Sequence, residues 1–290
     1  MSTYFERIFK PCFNELMNII PGKKSLSQYI RMMSNLILPG KTIYPDIVMV
    51  ITTRCSLKCK NCNNLMPCYD TPYHIDADQV ISDIDRLLEN TDMIIKFGLI
   101  GGEPFVYPEL SKVLTHVLNS DKIMYVSLTT NGTVIPNNDL LKLMENPKVI
   151  VELSDYGLKT QKIDEMMRIL AEHKIKCVPD KVSMWVSPGG TEFRGKDKAQ
   201  LAKEYQNCYS SKYCHTVLNG KVFLCARGAH LYDLGFMKSD HDYFDIRTPR
   251  SKKDFNKKLQ SFLLSDYADA CNYCDHALKI PVKPGEQKED

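Results

Sequence analysis

Between residues 46 and 187, short apolar runs alternate with amphipathic ones, and this alternation restricts the chain to a parallel α/β sheet. DIVMVIT (46–52), IIKFGLI (94–100), IMYVSLTT (123–130) and VIVELSD (149–155) are the continuous apolar segments expected of strands buried on both faces. IKCVPD and VSMWVS (175–187) offer a fifth strand. The intervening stretches, such as ADQVISDIDRLLEN (77–90), PELSKVLTHVLNS (108–120) and KTQKIDEMMRILAEHK (159–174), carry apolar residues on one helical face. Repeated β–α units demand right-handed crossovers and one parallel sheet. The repeat stops short of eight units, so a partial barrel is expected.

Four motifs fall where these strands end. Cys55, Cys59 and Cys62 (C-x3-C-x2-C) follow the first, and Gly101-Gly102-Glu103-Pro104 the second. Asn131-Gly132 follows the third, and Ser154 ends the fourth. In parallel β/α architectures that rim binds ligands. The first cysteine group has a trailing member, Cys68. A closed zinc site wants four ligands, usually as two knuckles. Three thiolates on one tight loop instead suit three irons of a cubane cluster, with one iron left open. Eleven cysteines in 290 residues, with no secretory or membrane-spanning run, point to metal or redox chemistry in the cytosol rather than to disulfides. A net charge of +3 gives no argument for nucleic acid.

A second group, Cys208, Cys214, Cys225, Cys271 and Cys274, lies beyond the alternating region. HTVLNGKVFLC is a hairpin signal, with Asn219-Gly220 as the turn. A two-residue turn there pairs Leu218 with Lys221 and, further out, sets Cys214 opposite Cys225. Cys271-x2-Cys274 adds a second knuckle. On these residues alone, zinc and iron–sulfur fit equally well.

C-x3-C-x2-C after the first strand, with GGEP after the second, resembles the radical S-adenosylmethionine (SAM) superfamily over residues 46 to about 190. The resemblance implies that Cys55, Cys59 and Cys62 ligate a [4Fe–4S] cluster whose open iron takes the amino and carboxylate groups of SAM. It implies that Gly101, Gly102 and Glu103, in the segment ending at Pro104, receive the methionine ammonium, and that Ser154 lies at a ribose contact. Asn131 is read either as a contact on the same rim or as an ordinary turn residue. Asn61 departs from the aromatic residue usual before the third cysteine. The cysteine-bearing hairpin with its later C-x2-C resembles the twitch form of the SPASM appendage, implying one auxiliary [4Fe–4S] cluster on four of the five C-terminal cysteines.

The expected organisation is a helical extension over 1–45, a partial (β/α)6 TIM barrel over 46–190, a linker over 191–207, a hairpin/twitch Fe–S domain over 208–280 and a disordered tail over 281–290. The extension is basic and amphipathic; it either packs on the barrel or lies weakly on an anionic membrane surface. The resemblance implies a radical SAM oxidoreductase acting on a sugar or aminocyclitol alcohol. The auxiliary cluster would accept an electron, and flavodoxin or ferredoxin would supply reducing equivalents. Two alternatives are maturation of a peptide and epimerisation with a thiol hydrogen donor, for which Cys68 and Cys177 are candidates. Arg227 and His230 are read as solvated-loop residues or as residues facing substrate, and Trp185 as a rim or core residue.

Overall fold

The computed structural model describes residues 42–208, 210 and 215–288. Most of the N-terminal extension, with Cys12, and also Cys214 lie outside these residues.

The first five strands of the chain lie parallel in one sheet: β1 (Ile43–Thr52), β2 (Met93–Gly101), β3 (Ile123–Thr130), β4 (Val149–Asp155) and β5 (Lys176–Lys181). Four helices make the crossovers: α1 (Ala77–Asn90), α2 (Leu110–Leu118), α3 (Asn138–Met144) and α4 (Ile163–Glu172). β1 starts three residues before the expected DIVMVIT, because Ile43 and Tyr44 pair with Met93 and Ile94. The helical reading of 1–45 is therefore corrected at its last residues. Val50, Ile51, Phe97, Leu99, Val126, Leu128, Val151 and Leu153 are fully or almost fully buried. Their burial is the main driving force, roughly 1.5–3 kcal/mol per large apolar side chain. Each helix contributes one apolar stripe; in α1 it is Val80, Ile84, Leu87 and Leu88, and the helix begins where the Asp76 side chain accepts the Gln79 N–H (2.9 Å).

The sixth β/α unit is not formed in the expected way. β5 is an edge strand with Pro179, Asp180 and Lys181 exposed or nearly so, which discourages a further partner on that side. Trp185–Val186 (β6) leaves the sheet and pairs antiparallel with a later strand, Pro281–Val282. The sheet grows instead at its other edge. β7 (Thr216–Leu218) runs parallel to β1, with Val48 opposite Thr216 and Met49 opposite Val217. β8 (Lys221–Phe223) and β9 (Tyr243–Asp245) then extend it antiparallel. The order is β5-β4-β3-β2-β1-β7-β8-β9. The hairpin is thus continuous with the main sheet. Its turn is the expected one: Leu218 faces Lys221, and Asn219 and Gly220 both have positive φ (49° and 75°), as a type I′ turn needs.

Two further readings are corrected. The polar stretch 191–207 holds a helix, α5 (Lys198–Asn207), started by a reciprocal Asp197–Gln200 capping box and anchored by buried Leu201 and Tyr205. The expected disordered tail is instead docked through residue 288. After β10 (Pro281–Val282), the Lys60 N–H donates to the Glu286 carbonyl (2.7 Å) and the Lys288 N–H to the Lys58 carbonyl (2.8 Å). These polar residues find backbone partners on the cysteine loop, which composition does not reveal.

α6 (Ala226–Asp233) follows the hairpin, and α7 (Lys252–Leu263) packs Phe255 and Leu259 into the main core. Asp83 of α1, almost fully buried, takes both arms of the Arg247 guanidinium (2.8 Å each) and ties α1 to the segment after β9. Among the described residues, no helix is long and apolar enough to cross a membrane.

Candidate functional site

The ends of β1, β2, β3 and β4 converge on one cavity of about 350 Å3. Cys55, Cys59 and Cys62 line it together with Asn61, Gly101, Gly102, Asn131, Ser154, Tyr156 and Trp185. Trp185 is therefore a wall residue, packed edge-on to Tyr156 with ring centroids 5.0 Å apart.

The two glycines allow β2 to leave the sheet directly against the start of the cysteine loop. Gly102 N–H donates to Thr52 O (3.0 Å) and Glu103 N–H to Arg54 O (3.0 Å). A Cβ on Gly101 would overlap the Thr52 carbonyl; one on Gly102 would overlap the Arg54 carbonyl and lie 2.6 Å from Cys55 Cβ. Gly102→Ala should therefore displace the loop and weaken iron occupancy of the three-cysteine site about tenfold, so that total iron falls by about half where the second group loads, since overpacking typically costs about 1–3 kcal/mol. Iron analysis of the reconstituted variant checks this, and full loading would contradict it.

Glu103 does not line the cavity. Its carboxylate is completely buried: Oε1 accepts the Thr130 hydroxyl (2.8 Å) and the Phe105 N–H (3.1 Å), and Oε2 accepts the Asn131 N–H (2.8 Å). Burial pushes its pKa up to about 7 against these three donors. The side chain braces the exits of β2 and β3. A Gln at this position has one acceptor oxygen, so either the Asn131 side or the Thr130/Phe105 side meets an N–H donor. Glu103→Gln should lower stability by about 1–3 kcal/mol in denaturant melts; an unchanged midpoint would show that the brace is dispensable. Pro104 opens the short 3-10 turn Pro104–Val106 and is buried.

Asn131 bridges to the cysteine loop. Its Nδ2 donates to Ser56 Oγ (3.1 Å) and lies 3.7 Å from Cys55 Sγ. Gln161 carries no sequence signal, yet its Nε2 donates to the carbonyls of Asn131 (2.6 Å) and Ser154 (2.7 Å), joining the ends of β3 and β4.

The three loop thiols are ready to be ionised by metal but not by the chain alone. Burial pushes Cys55 up to about 12 and Cys59 up to about 11, and it raises Cys62 as well. Donors are nonetheless aimed at the sulfurs: Leu57 N–H at Cys55 (3.5 Å) and Gln287 Nε2 at Cys59 (3.4 Å). A bound cation deprotonates such thiols outright and gains these donors. The donor set and the glycine cradle thus fit a cysteine-held cluster with an adjoining ligand space.

Cys68 is placed elsewhere. It ends the 3-10 turn Met66–Cys68 and packs, half-buried, against the cluster of Leu65, Leu231, Met237 and Ala270, not on the cavity wall. Cys177 lies in β5 against the main core. Arg227 and His230 are buried, at 2% and 0% exposure, so neither sits on a solvated loop. His230 Nδ1 shares a hydrogen bond with the Tyr69 hydroxyl (2.8 Å), while its buried Nε2 has no partner among the described residues. Burial drives its pKa down to about 3. The unfolded chain therefore takes up this proton first as pH falls, and the stability contribution present above about 6.5 is lost toward about 3. Glu103 and Asp242, held up at about 7 and about 6, act in the opposite sense. Comparison with His230→Phe isolates the histidine: the wild type should lose on the order of 1–2 kcal/mol more than the variant between pH 7 and pH 5 in urea melts. Equal losses would refute the assignment.

Four cysteines of the second group come together among the described residues. Cys208 caps the C-terminus of α5, Cys225 caps the N-terminus of α6, Cys271 lies within the 3-10 turn Asp269–Tyr273 and Cys274 caps its end. They lie within electrostatic reach of one another, and burial raises Cys225, Cys271 and Cys274. Cys225 Sγ accepts the Gly228 N–H (3.2 Å) at the helix start. Asp242 holds the knuckle by accepting the N–H groups of Asp269 and Ala270 (2.7 Å each). Lys196 Nζ donates to the carbonyls of Cys271 (3.0 Å) and Cys274 (2.8 Å). Among the described residues, neither cysteine group is drawn together as tightly as ligands around a single ion.

Residues 49–168 match the model of the Radical SAM superfamily. A GTP 3′,8-cyclase from Lactiplantibacillus plantarum is 30% identical over 147 residues, which are 49% of this chain and 42% of the cyclase. The chain thus spans less than half the length of the curated relative it matches. Among solved structures, native anSMEcpe with bound AdoMet has a TM-score of 0.50 at 17% identity, covering 79% of this chain and 83% of that one. BtrN in complex with AdoMet and 2-DOIA has a TM-score of 0.49 at 16% identity, covering 84% and 96%. Residues 49–168 are therefore similar to a radical SAM domain, and the likeness to anSMEcpe lies in the fold. Such a domain implies a [4Fe–4S] cluster and SAM. Cys55, Cys59, Cys62, Gly101, Gly102, Asn131 and Ser154 all fall inside the matched span; the hairpin and the second cysteine group lie beyond it.

Proposed function

We propose that the chain is a radical SAM oxidoreductase that oxidises an alcohol of a sugar or aminocyclitol, with a second [4Fe–4S] cluster on Cys208, Cys225, Cys271 and Cys274 as electron acceptor. The observation that carries this reading is that one cavity takes in three loop thiols, the double-glycine exit, Asn131 and Ser154, while a separate set of four thiols assembles around the hairpin that extends β1.

When bound, SAM and the two clusters supply a 5′-deoxyadenosyl radical to take the hydrogen atom from the carbinol C–H and an acceptor for the electron released as the alcohol loses its proton and becomes a ketone. The chain's own residues bind, orient and exclude water. Cys55, Cys59 and Cys62 would hold the first cluster. The side-chain-free backbone at Gly101-Gly102, on the cavity wall, suits an ammonium, while Glu103 braces that strand exit from behind. Ser154, beside Tyr156 and Trp185, suits a ribose hydroxyl against an aromatic wall. The remaining wall is rich in amides, with Asn61, Asn63 and Asn64, and holds no Lys, Arg, Asp or Glu among the described lining residues. That surface favours a hydroxyl-rich substrate over a phosphorylated one. A flavodoxin or ferredoxin would deliver the initiating electron.

Anaerobic reconstitution tests the reading. About eight irons per chain and reductant-dependent release of 5′-deoxyadenosine are expected. Stoichiometric zinc without SAM cleavage would overturn it.

A further inference from the structure

Arg227 stands in the first turn of α6, two residues beyond Cys225, and is 2% exposed. Its Nε donates to the Tyr273 carbonyl (3.1 Å), and its Nη2 donates to the carbonyls of Gly189 (2.9 Å) and Gly190 (2.6 Å). Its Nη1 is buried without a partner among the described residues. All the acceptors named are neutral. The neighbouring cations are already matched: Arg194 grips both oxygens of Asp275 (2.6 and 2.7 Å), and Lys196 meets Glu204 (2.7 Å). Asp275 is within electrostatic reach of Arg227, but both its oxygens are committed to Arg194. Other groups in reach that can carry negative charge include the thiols of Cys274, Cys225 and Cys68, with Cys62 of the first loop.

A guanidinium stays protonated in proteins, and a buried charge without a counter-charge is costly. Protonated thiols do not answer it; a thiolate-ligated centre does. We infer that Arg227 is a positioning residue, the counter-cation of the cluster held by Cys208, Cys225, Cys271 and Cys274, and that its charge raises that cluster's reduction potential. The inference rests on the proposed second cluster. One-electron reduction makes such a centre more negative, so a fixed cation nearby favours the reduced form. The three carbonyl bonds hold the guanidinium in place without cancelling its charge. The second cluster thereby becomes a better acceptor for an electron leaving a substrate radical.

The test uses the full chain carrying Cys55→Ala, Cys59→Ala and Cys62→Ala, so that only the second cysteine group can hold iron. After reconstitution, iron analysis and an EPR-monitored redox titration are compared with and without Arg227→Gln and Arg227→Lys. With Arg227 intact, about four irons are expected. Arg227→Gln should lower the reduced-to-oxidised ratio about tenfold at fixed ambient potential, a negative shift of about 59 mV for one electron. Arg227→Lys, which keeps the charge, should stay within about threefold of the parent. If Arg227→Gln loses iron while Arg227→Lys loads fully, the counter-charge role is again supported. An unmoved potential in Arg227→Gln, or equal shifts or equal iron loss in both variants, would overturn the inference while leaving the cluster intact as a reading. No iron in the parent would overturn the second cluster, and the inference with it.

Discussion

Alanine at Cys55, Cys59 or Cys62 should reduce reductant-dependent release of 5′-deoxyadenosine by at least about a thousandfold, the rate equivalent of about 4 kcal/mol. Each substitution removes one of three thiols that share a single loop and a single cavity. No other cysteine lines that cavity among the described residues, and Cys68, the nearest in sequence, packs toward Leu231 and Met237. A neighbouring thiol therefore cannot replace the lost ligand without remaking the loop, which is tied by Lys60 and Lys58 to residues 286–288 and, at its start, by Thr52 and Arg54 to Gly102 and Glu103 at β2's exit. Iron should fall by about half, because the second group would keep the cluster proposed for it. Stability should change little, since the loop lies outside the main hydrophobic core. Cys68→Ala serves as the control and should keep full iron and full SAM cleavage. Release at the wild-type level from a Cys59→Ala protein would remove the basis for the first cluster.

The parts of this structure that are legible in the sequence are those whose side chains carry the signal. β3 and β4 are bounded as their apolar runs predict, and α1 spans 77–90 because a capping aspartate precedes an apolar stripe. The hairpin register follows from Asn219-Gly220, whose positive φ values few other pairs tolerate. The rim assembly was readable for the same reason, as cysteines and glycines at strand ends have few structural uses. What the sequence hides is decided by backbone partners and by long-range geometry. β7 joins β1 rather than β5, an edge choice that short strands do not encode. The docked segment 281–288 is held by main-chain pairing to β6 and by main-chain and side-chain bonds to the cysteine loop, so its polar composition misleads. Glu103 and Arg227 are charged residues that composition assigns to surfaces, yet both are buried by groups distant in the chain: Thr130 and Asn131 in one case, Gly189, Gly190 and Tyr273 in the other. Gln161 sits in a run of lysines and threonine, with no local cue to its bridging role.

Replacing Cys271 and Cys274 together by alanine should separate the two halves of the proposed reaction. The first cavity contains neither residue, so SAM cleavage should continue, within about threefold of wild type once the loss of coupled turnover is allowed for. The knuckle that they form is held by Asp242 through the Asp269 and Ala270 N–H groups and by Lys196 through the carbonyls of residues 271 and 274. These bonds use main-chain atoms of the knuckle, which alanine preserves, so the variant should fold. Two of four thiolates are nonetheless gone, and a cubane cannot be held by Cys208 and Cys225 alone. With no acceptor, the electron left after hydrogen abstraction has nowhere to go. Ketone yield per 5′-deoxyadenosine released should then fall by about a hundredfold or more, a coupling loss of about 2.7 kcal/mol. The measurement is the ratio of ketone to 5′-deoxyadenosine under anaerobic conditions with a sugar or aminocyclitol substrate, and with iron determined in parallel. An unchanged ratio in a protein that has lost about four irons would rule out the second cluster as the electron acceptor. An unchanged ratio with full iron would mean that these two cysteines are not its ligands.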